Sequence, residues 1–178
     1  MKQITWARRV DVFDHVRGAT TDQLRCTMKS REPSIVTHNY DTTWSVRQTV
    51  RSLLLDEADT LLGGRFAIIN SWRSIAGRVE TMPLAFYELS TVNPADLMPV
   101  KRVAKDRVGK LQMARFNATH WWFCHPAMDS DEAVLIKTFD SALIGHTRLT
   151  IPATVDGPSS AADAVLRQSL ETRCFVFY

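Results

Sequence analysis

Cysteine is scarce in this chain of 178 residues: Cys26, Cys124 and Cys174 are an odd number with no C-x-x-C spacing. That excludes a disulfide scaffold and a zinc ribbon, and it fits a reducing compartment. No run approaches the roughly 18 consecutive apolar residues of a membrane span. The opening residues, from Met1-Lys2-Gln3-Ile4 to Arg8-Arg9, lack the apolar stretch of a secretory leader. A block of one charge is missing too. The 22 basic and 19 acidic residues leave a net charge of +3, and Arg8-Arg9, Arg47, Arg51, Arg65 and Lys101-Arg102 are scattered. A solvated surface has that pattern; a nucleic-acid footprint does not. Repeats, low-complexity tracts and linkers are absent as well. What remains is ordinary globular composition, 45% hydrophobic and 23% charged. The expectation is one soluble, cytoplasmic domain over residues 1–178 with no nucleic-acid or membrane partner.

One helix stands out. Val46, Val50, Leu53, Leu54, Ala58, Leu61 and Leu62 form an apolar stripe at helical spacing. Thr42 or Thr43 can cap its start, and Gly63-Gly64 can end it in a left-handed turn. Elsewhere the period is that of strands. Arg9 to Val16 largely alternates apolar and polar residues, and Ser34 to Tyr40 has strand character. Short β-branched and aromatic runs follow at 65–72, 84–92, 110–116, 120–124, 133–139, 147–151 and 173–178, mostly separated by Pro, Gly, Asn or Asp. The polar segment from Gly18 to Pro33 reads as a loop. Many short strands with one long helix predict a mainly β fold, a jelly-roll or double-stranded β-helix-like barrel. Cys124 and Cys174 sit in apolar runs and read as inert buried thiols. His15 reads as structural, and His120 and His125 as loop-end residues.

Several motifs in fixed order carry a resemblance. Arg9-Val10-Asp11-Val12-Phe13-Asp14-His15 comes first, then Asn70-Ser71-Trp72-Arg73 with Met82-Pro83-Leu84-Ala85. Trp121-Trp122-Phe123, Asp131 to Lys137, Asp140-Ser141, His146-Thr147 and Arg167 to Arg173 follow. Together they resemble the AsaB-like hydroxylase/desaturase family of fungal secondary metabolism, which includes relatives of a cephalosporin-methoxylation protein. That family is similar to non-haem iron oxygenases using 2-oxoglutarate. The resemblance implies a jelly roll carrying two histidines and a carboxylate on one face of Fe(II), which leaves positions open for the cosubstrate and O₂. Carried over, the metal ligands are His38, Asp41 and His146. Arg167, with Arg173 second, becomes the clamp for the cosubstrate's far carboxylate.

The sequence departs from the family in three places. The His-x-Asp pair reads His38-Asn39-Tyr40-Asp41 here, so the acid lies one residue further on and, on a strand, faces the other way. Arg148 stands where the family more often has a small residue. The chain also begins just before the Phe-Asp-His strand, where family members carry a further N-terminal region, so a truncated member is expected.

Three readings follow. In the first, the chain is an Fe(II)/2-oxoglutarate-type hydroxylase or desaturase of a small secondary metabolite, with Trp72 and Arg73 as an aromatic wall and a cation for substrate. In the second, it is a metal-independent cyclase or isomerase of a polyketide- or terpenoid-like intermediate, with Tyr40 and Asp41 as donor and base. In the third, it is a non-catalytic partner subunit or a homodimer whose interface covers the missing region.

Overall fold

The computed structural model of the chain describes residues 1–34, 38–39, 43–104, 107–143, 149–155, 161 and 163–178; of 38–39, 102–104 and 107–110 it describes the backbone. In chain order its strands are β1 (Arg9–Ala19), β2 (His38–Asn39), β3 (Phe66–Ser74), β4 (Leu84–Tyr87) and β5 (Leu97–Ala104). Then come β6 (Arg107–Ala114), β7 (Trp122–Cys124), β8 (Val134–Asp140), β9 (Pro152–Thr154) and β10 (Gln168–Phe177). They form three antiparallel sheets, ordered β1-β10-β3-β8, β2-β6-β5 and β7-β4-β9. The chain is mainly β, as expected. Among the described residues the three sheets are not hydrogen-bonded into one closed barrel.

The four-stranded sheet is the spine. β3 lies inside it and is buried on both faces over its first half, which is why Phe66-Ala67-Ile68-Ile69 reads as a continuous apolar run. Side chains alternate across the pleat. Phe66 and Ile68 face one way with Phe175, Phe177 and Phe139, while Ala67 and Ile69 face the other way with Cys174, Val176 and Ala7. The register of β3 on β10 runs unbroken from Phe66↔Phe177 to Ser74↔Ser169, so this alternation persists along the strand. A shift between Val12 and Asp14 in β1 lets Phe13 stack on Phe175, centroids 4.2 Å apart.

The helical segment covers the phenylalanine face. It is α3 (Thr43–Leu54), a 3₁₀ turn at Leu55–Glu57 and α4 (Ala58–Leu62), after α1 (Lys2–Thr5) and α2 (Asp22–Met28). Val46, Val50, Ala58 and Leu62 pack on Phe66, Ile68, Phe139, Phe175 and Phe177. Each fully buried large side chain of that group contributes about 1.5–3 kcal/mol. Two details differ from expectation. The helix is interrupted at Leu55, whose φ of 43° is left-handed, and Leu55 itself is exposed. Gly63 closes α4 with an ordinary right-handed φ of −72°, its N–H donating to the Asp59 and Thr60 carbonyls.

Gly18 sets a close approach. It stands opposite Ser169, and a Cβ there would lie 2.7 Å from the Ser169 hydroxyl. Gly18→Ala is therefore expected to cost about 1–3 kcal/mol in urea denaturation. Adding Ser169→Ala should recover most of the loss, and no recovery would place the strain elsewhere.

Candidate functional site

Where the phenylalanine face of the spine sheet ends, it turns polar. Beyond Ile68, β3 presents Asn70, Trp72 and Ser74 on that face, opposite Arg173, Glu171 and Ser169 of β10. Trp72 packs with Val79, Phe86, Met128 and Ile136, all buried. A buried polar stripe between two apolar clusters requires partners for each polar atom.

Arg167 occupies this stripe. Its backbone is pinned just before β10: its N–H donates to Thr81 Oγ1 at 3.1 Å, and its carbonyl accepts from Thr20 N–H at 3.3 Å. The side chain runs inward and is 5% exposed. One guanidinium nitrogen donates to the Met82 carbonyl and, at 3.2 Å, to Thr154 Oγ1 of β9. The guanidinium lies over the Trp72 ring, 4.9 Å from its centroid. Among the described residues no carboxylate pairs with it, and its Nε is buried without an acceptor. Burial lowers its pKa to about 10, against an opposing pull from the Glu171 charge, so it is still a cation at neutral pH. A ring face offsets part of the cost of a buried unpaired cation. A carboxylate accepting from Nε would complete its hydrogen bonding.

Asn70 stands nearby on the same face, 6% exposed. Its Nδ2 donates to Glu171 Oε1 at 2.8 Å, and Arg173 Nε donates to the same oxygen at 3.0 Å. Arg173 Nη1 also lies 3.6 Å from Asp14 of β1. This row ties three strands together across the sheet.

The residues expected from the sequence are distributed unevenly. Trp72 and Arg167 meet. Arg73 does not join them: consecutive strand residues point to opposite faces, and Arg73 is exposed where Trp72 is buried. The cation against Trp72 is Arg167. Arg173 is already held by two carboxylates, Glu171 and Asp14. The backbone of His38, in β2, pairs with Met113 of β6, and its side chain lies outside the described residues, as do Tyr40, Asp41, His146 and Arg148. Among the described residues no three His, Cys, Asp or Glu side chains gather as a metal site.

Other expectations are corrected or refined outside the site. His120 stands in the loop that leads into β7, as expected, and is buried there, with Nε2 3.1 Å from Asp96 Oδ2 and its ring edge-on to Tyr87. His125 is exposed, 3.9 Å from Glu132. His15 Nδ1 bonds Thr172 Oγ1 at 3.0 Å. Cys174 is buried, but Cys124 is exposed because β7 is an edge strand with all three residues in solvent.

Asn70, Glu171 and Thr154 were not singled out from the sequence as site residues. An Asn inside the apolar run from Phe66 to Trp72 was a usable signal, since buried amides need a purpose or a partner. Nothing in the sequence marked Thr154.

Comparison with known proteins adds to this geometry. The family described as an oxidoreductase/YMDC permease-like domain matches residues 1–177. The chain is 35% identical over 136 residues to aspirochlorine biosynthesis protein N of Aspergillus oryzae, covering 74% of this chain and 56% of that protein. It is 33% identical over 137 residues to hydroxylase/desaturase AsaB of Aspergillus flavus, covering 68% and 60%. The chain belongs to the AsaB-like hydroxylase/desaturase family. In fold it matches the iron and alpha-ketoglutarate-dependent endoperoxidase NvfI with a TM-score of 0.89 at 24% identity, over 99% of this chain and 64% of that one. The architecture is thus the jelly roll of that structure. The chain spans between about half and two thirds of the length of these relatives. Among the described residues no helix is long and apolar enough to cross a membrane.

Proposed function

We propose that this chain carries the cosubstrate-binding wall of an Fe(II)- and 2-oxoglutarate-dependent hydroxylase or desaturase that modifies a small secondary metabolite. The observation that carries the reading is Arg167: a buried cation, pre-oriented on Trp72, with no carboxylate partner among the described residues and a free Nε–H. A dicarboxylate fits that deficiency. Its far carboxylate accepts from Arg167, with Thr154 Oγ1 and the Met82 carbonyl fixing the guanidinium plane. His38 and His146, with Asp41, are the residues that would hold iron. Iron with 2-oxoglutarate supplies the oxidising chemistry. The protein orients the cosubstrate and, through Trp72, Ile136 and Phe86, keeps water from that wall.

A cytoplasmic location goes with this reading, since all three cysteines are free thiols. The test is a titration of the anaerobic protein with Fe(II) and 2-oxoglutarate. Saturable binding of both at one equivalent is expected. Failure to bind 2-oxoglutarate in the presence of Fe(II) would overturn the reading.

A further inference from the structure

The anion clamp leaves one buried atom of this wall unexplained. Asn70 Oδ1 is sealed from solvent and, among the described residues, no donor reaches it. Its direction is dictated by chemistry. The neighbour on one side of the carboxamide is Glu171, and a carboxylate only accepts, so Asn70 must turn its nitrogen toward Glu171 and its oxygen away. Arg173, donating to the same Glu171 oxygen, holds that carboxylate in place.

The acceptor so presented cannot be satisfied by the cosubstrate. At neutral pH 2-oxoglutarate carries two carboxylates and a ketone, which are acceptors throughout. The atom calls for an O–H or N–H. It lies two residues from Trp72 on one face of β3, a separation of about 6.5–7 Å. Trp72 in turn carries the Arg167 guanidinium over its ring, 4.9 Å from the centroid.

We propose, building on the oxygenase reading above, that Asn70 Oδ1 accepts a hydrogen bond from a hydroxyl of the organic substrate, and that Glu171 is the positioning residue that keeps this acceptor facing it. The substrate class is a hydroxyl-bearing molecule that donates at that point while Arg167 holds the anion. A metal-bound water offers the same O–H chemistry, so the two sources are separated by the test.

The probes are phenol and anisole, which share a ring and differ in the donor, measured by ligand-observed NMR on the full chain with and without saturating 2-oxoglutarate. The wild type is expected to bind phenol about tenfold more tightly than anisole, because a site built to accept from a hydroxyl rejects the analogue lacking it. Asn70→Leu should erase the preference. Glu171→Met should erase it as well, since the carboxamide is then free to turn. Glu171→Gln, which keeps an acceptor oxygen for both Asn70 and Arg173, should retain it. Arg173 keeps Asp14 in each variant, and thermal melts confirm folding.

Equal binding of the two probes by the wild type, no phenol binding, or a preference that survives Glu171→Met overturns the proposal. So does a fall in Mn(II) affinity in Asn70→Leu with the phenol preference intact, which assigns the acceptor to metal-bound water. A 2-oxoglutarate titration on the same samples keeps the two readings apart. Loss of cosubstrate binding with the phenol preference standing removes only the cosubstrate role, and the converse removes only the role of Asn70.

Discussion

Arg167→Gln is expected to weaken 2-oxoglutarate binding by at least about 30-fold without unfolding the protein. Truncating one partner of a buried, hydrogen-bonded charge pair costs about 2–5 kcal/mol. At about 1.4 kcal/mol per factor of ten, that is from about 30-fold to several thousand-fold. Arg167→Lys keeps the charge but loses the fork, so about a tenfold loss is expected, intermediate between the two. Stability should move the other way. In the free protein the cation is buried with a ring face and two neutral acceptors but no carboxylate partner among the described residues. Gln removes that uncompensated charge while keeping a donor for Met82 and Thr154, so the melting temperature should hold or rise. Adding 2-oxoglutarate should then stabilise the wild type and leave Arg167→Gln unmoved. Because the ligand needs the charged guanidinium, wild-type affinity should stay flat through neutral pH and fall as pH rises past about 10. A variant that melts lower and still binds 2-oxoglutarate would make Arg167 a structural residue and remove the central support of the proposed function.

How much of this wall was legible beforehand turns on which signals are local. The apolar runs of β3, β8 and β10 were readable because they are buried on one or both faces, and burial writes itself into composition. The strand Leu97–Ala104 was not, because Pro99 breaks its pattern. β5 can hold that proline as an edge strand, and sequence does not show which strands are edges. The helix α2 hid in a segment that reads as a loop for a similar reason. It buries no residue and has no apolar stripe, only Thr21 capping the Leu24 N–H. The break at Leu55 was illegible too, since the apolar spacing on either side still suits one helix.

Within the site, the limits are of another kind. Trp72 and Arg73 are adjacent in sequence and so were paired, but the strand period separates them and brings Arg167 to the ring from 95 residues away. Choosing Arg167 over Arg173 as the anion clamp rested on the family's order of motifs. In the structure the physical difference is the company each keeps: Glu171 and Asp14 occupy Arg173, whereas no carboxylate pairs with Arg167 among the described residues. Charge pairing across a sheet depends on register, and register is not visible in a single sequence.

Register also creates the second large effect, at the far end of the same sheet. Asp140 closes β8 with its carboxylate fully buried. It accepts from Arg65 Nη2 at 2.8 Å and Nε at 3.2 Å and from the Ala142 N–H at 2.9 Å, with Lys137 Nζ at 3.3 Å. Arg65 in turn lies over the Tyr178 ring, 4.2 Å from its centroid, and the Tyr178 N–H donates to the Arg65 carbonyl. The pair therefore fastens the ends of β3, β8 and β10. Burial by itself would raise the Asp140 pKa; the Arg65 fork, the Ala142 N–H and Lys137 reverse this and hold it at about 2. A carboxyl depressed from 3.8 to about 2 stabilises the fold by about 2 kcal/mol at neutral pH. That contribution is complete above about pH 4 and disappears as pH falls through about 2. Asp140→Asn removes the charge but keeps the shape, leaving Arg65 with solvent access on a third of its side chain. The expected cost at pH 7 is about 2–4 kcal/mol, a drop in melting temperature of about 5–15 °C for a chain of this size. Measured against pH, the gap between wild type and Asp140→Asn should narrow from pH 4 downward, because acid neutralises in the wild type what the substitution has already removed. A gap that stays constant to pH 2 would mean that packing around Asp140, and not its charge, joins the three strands.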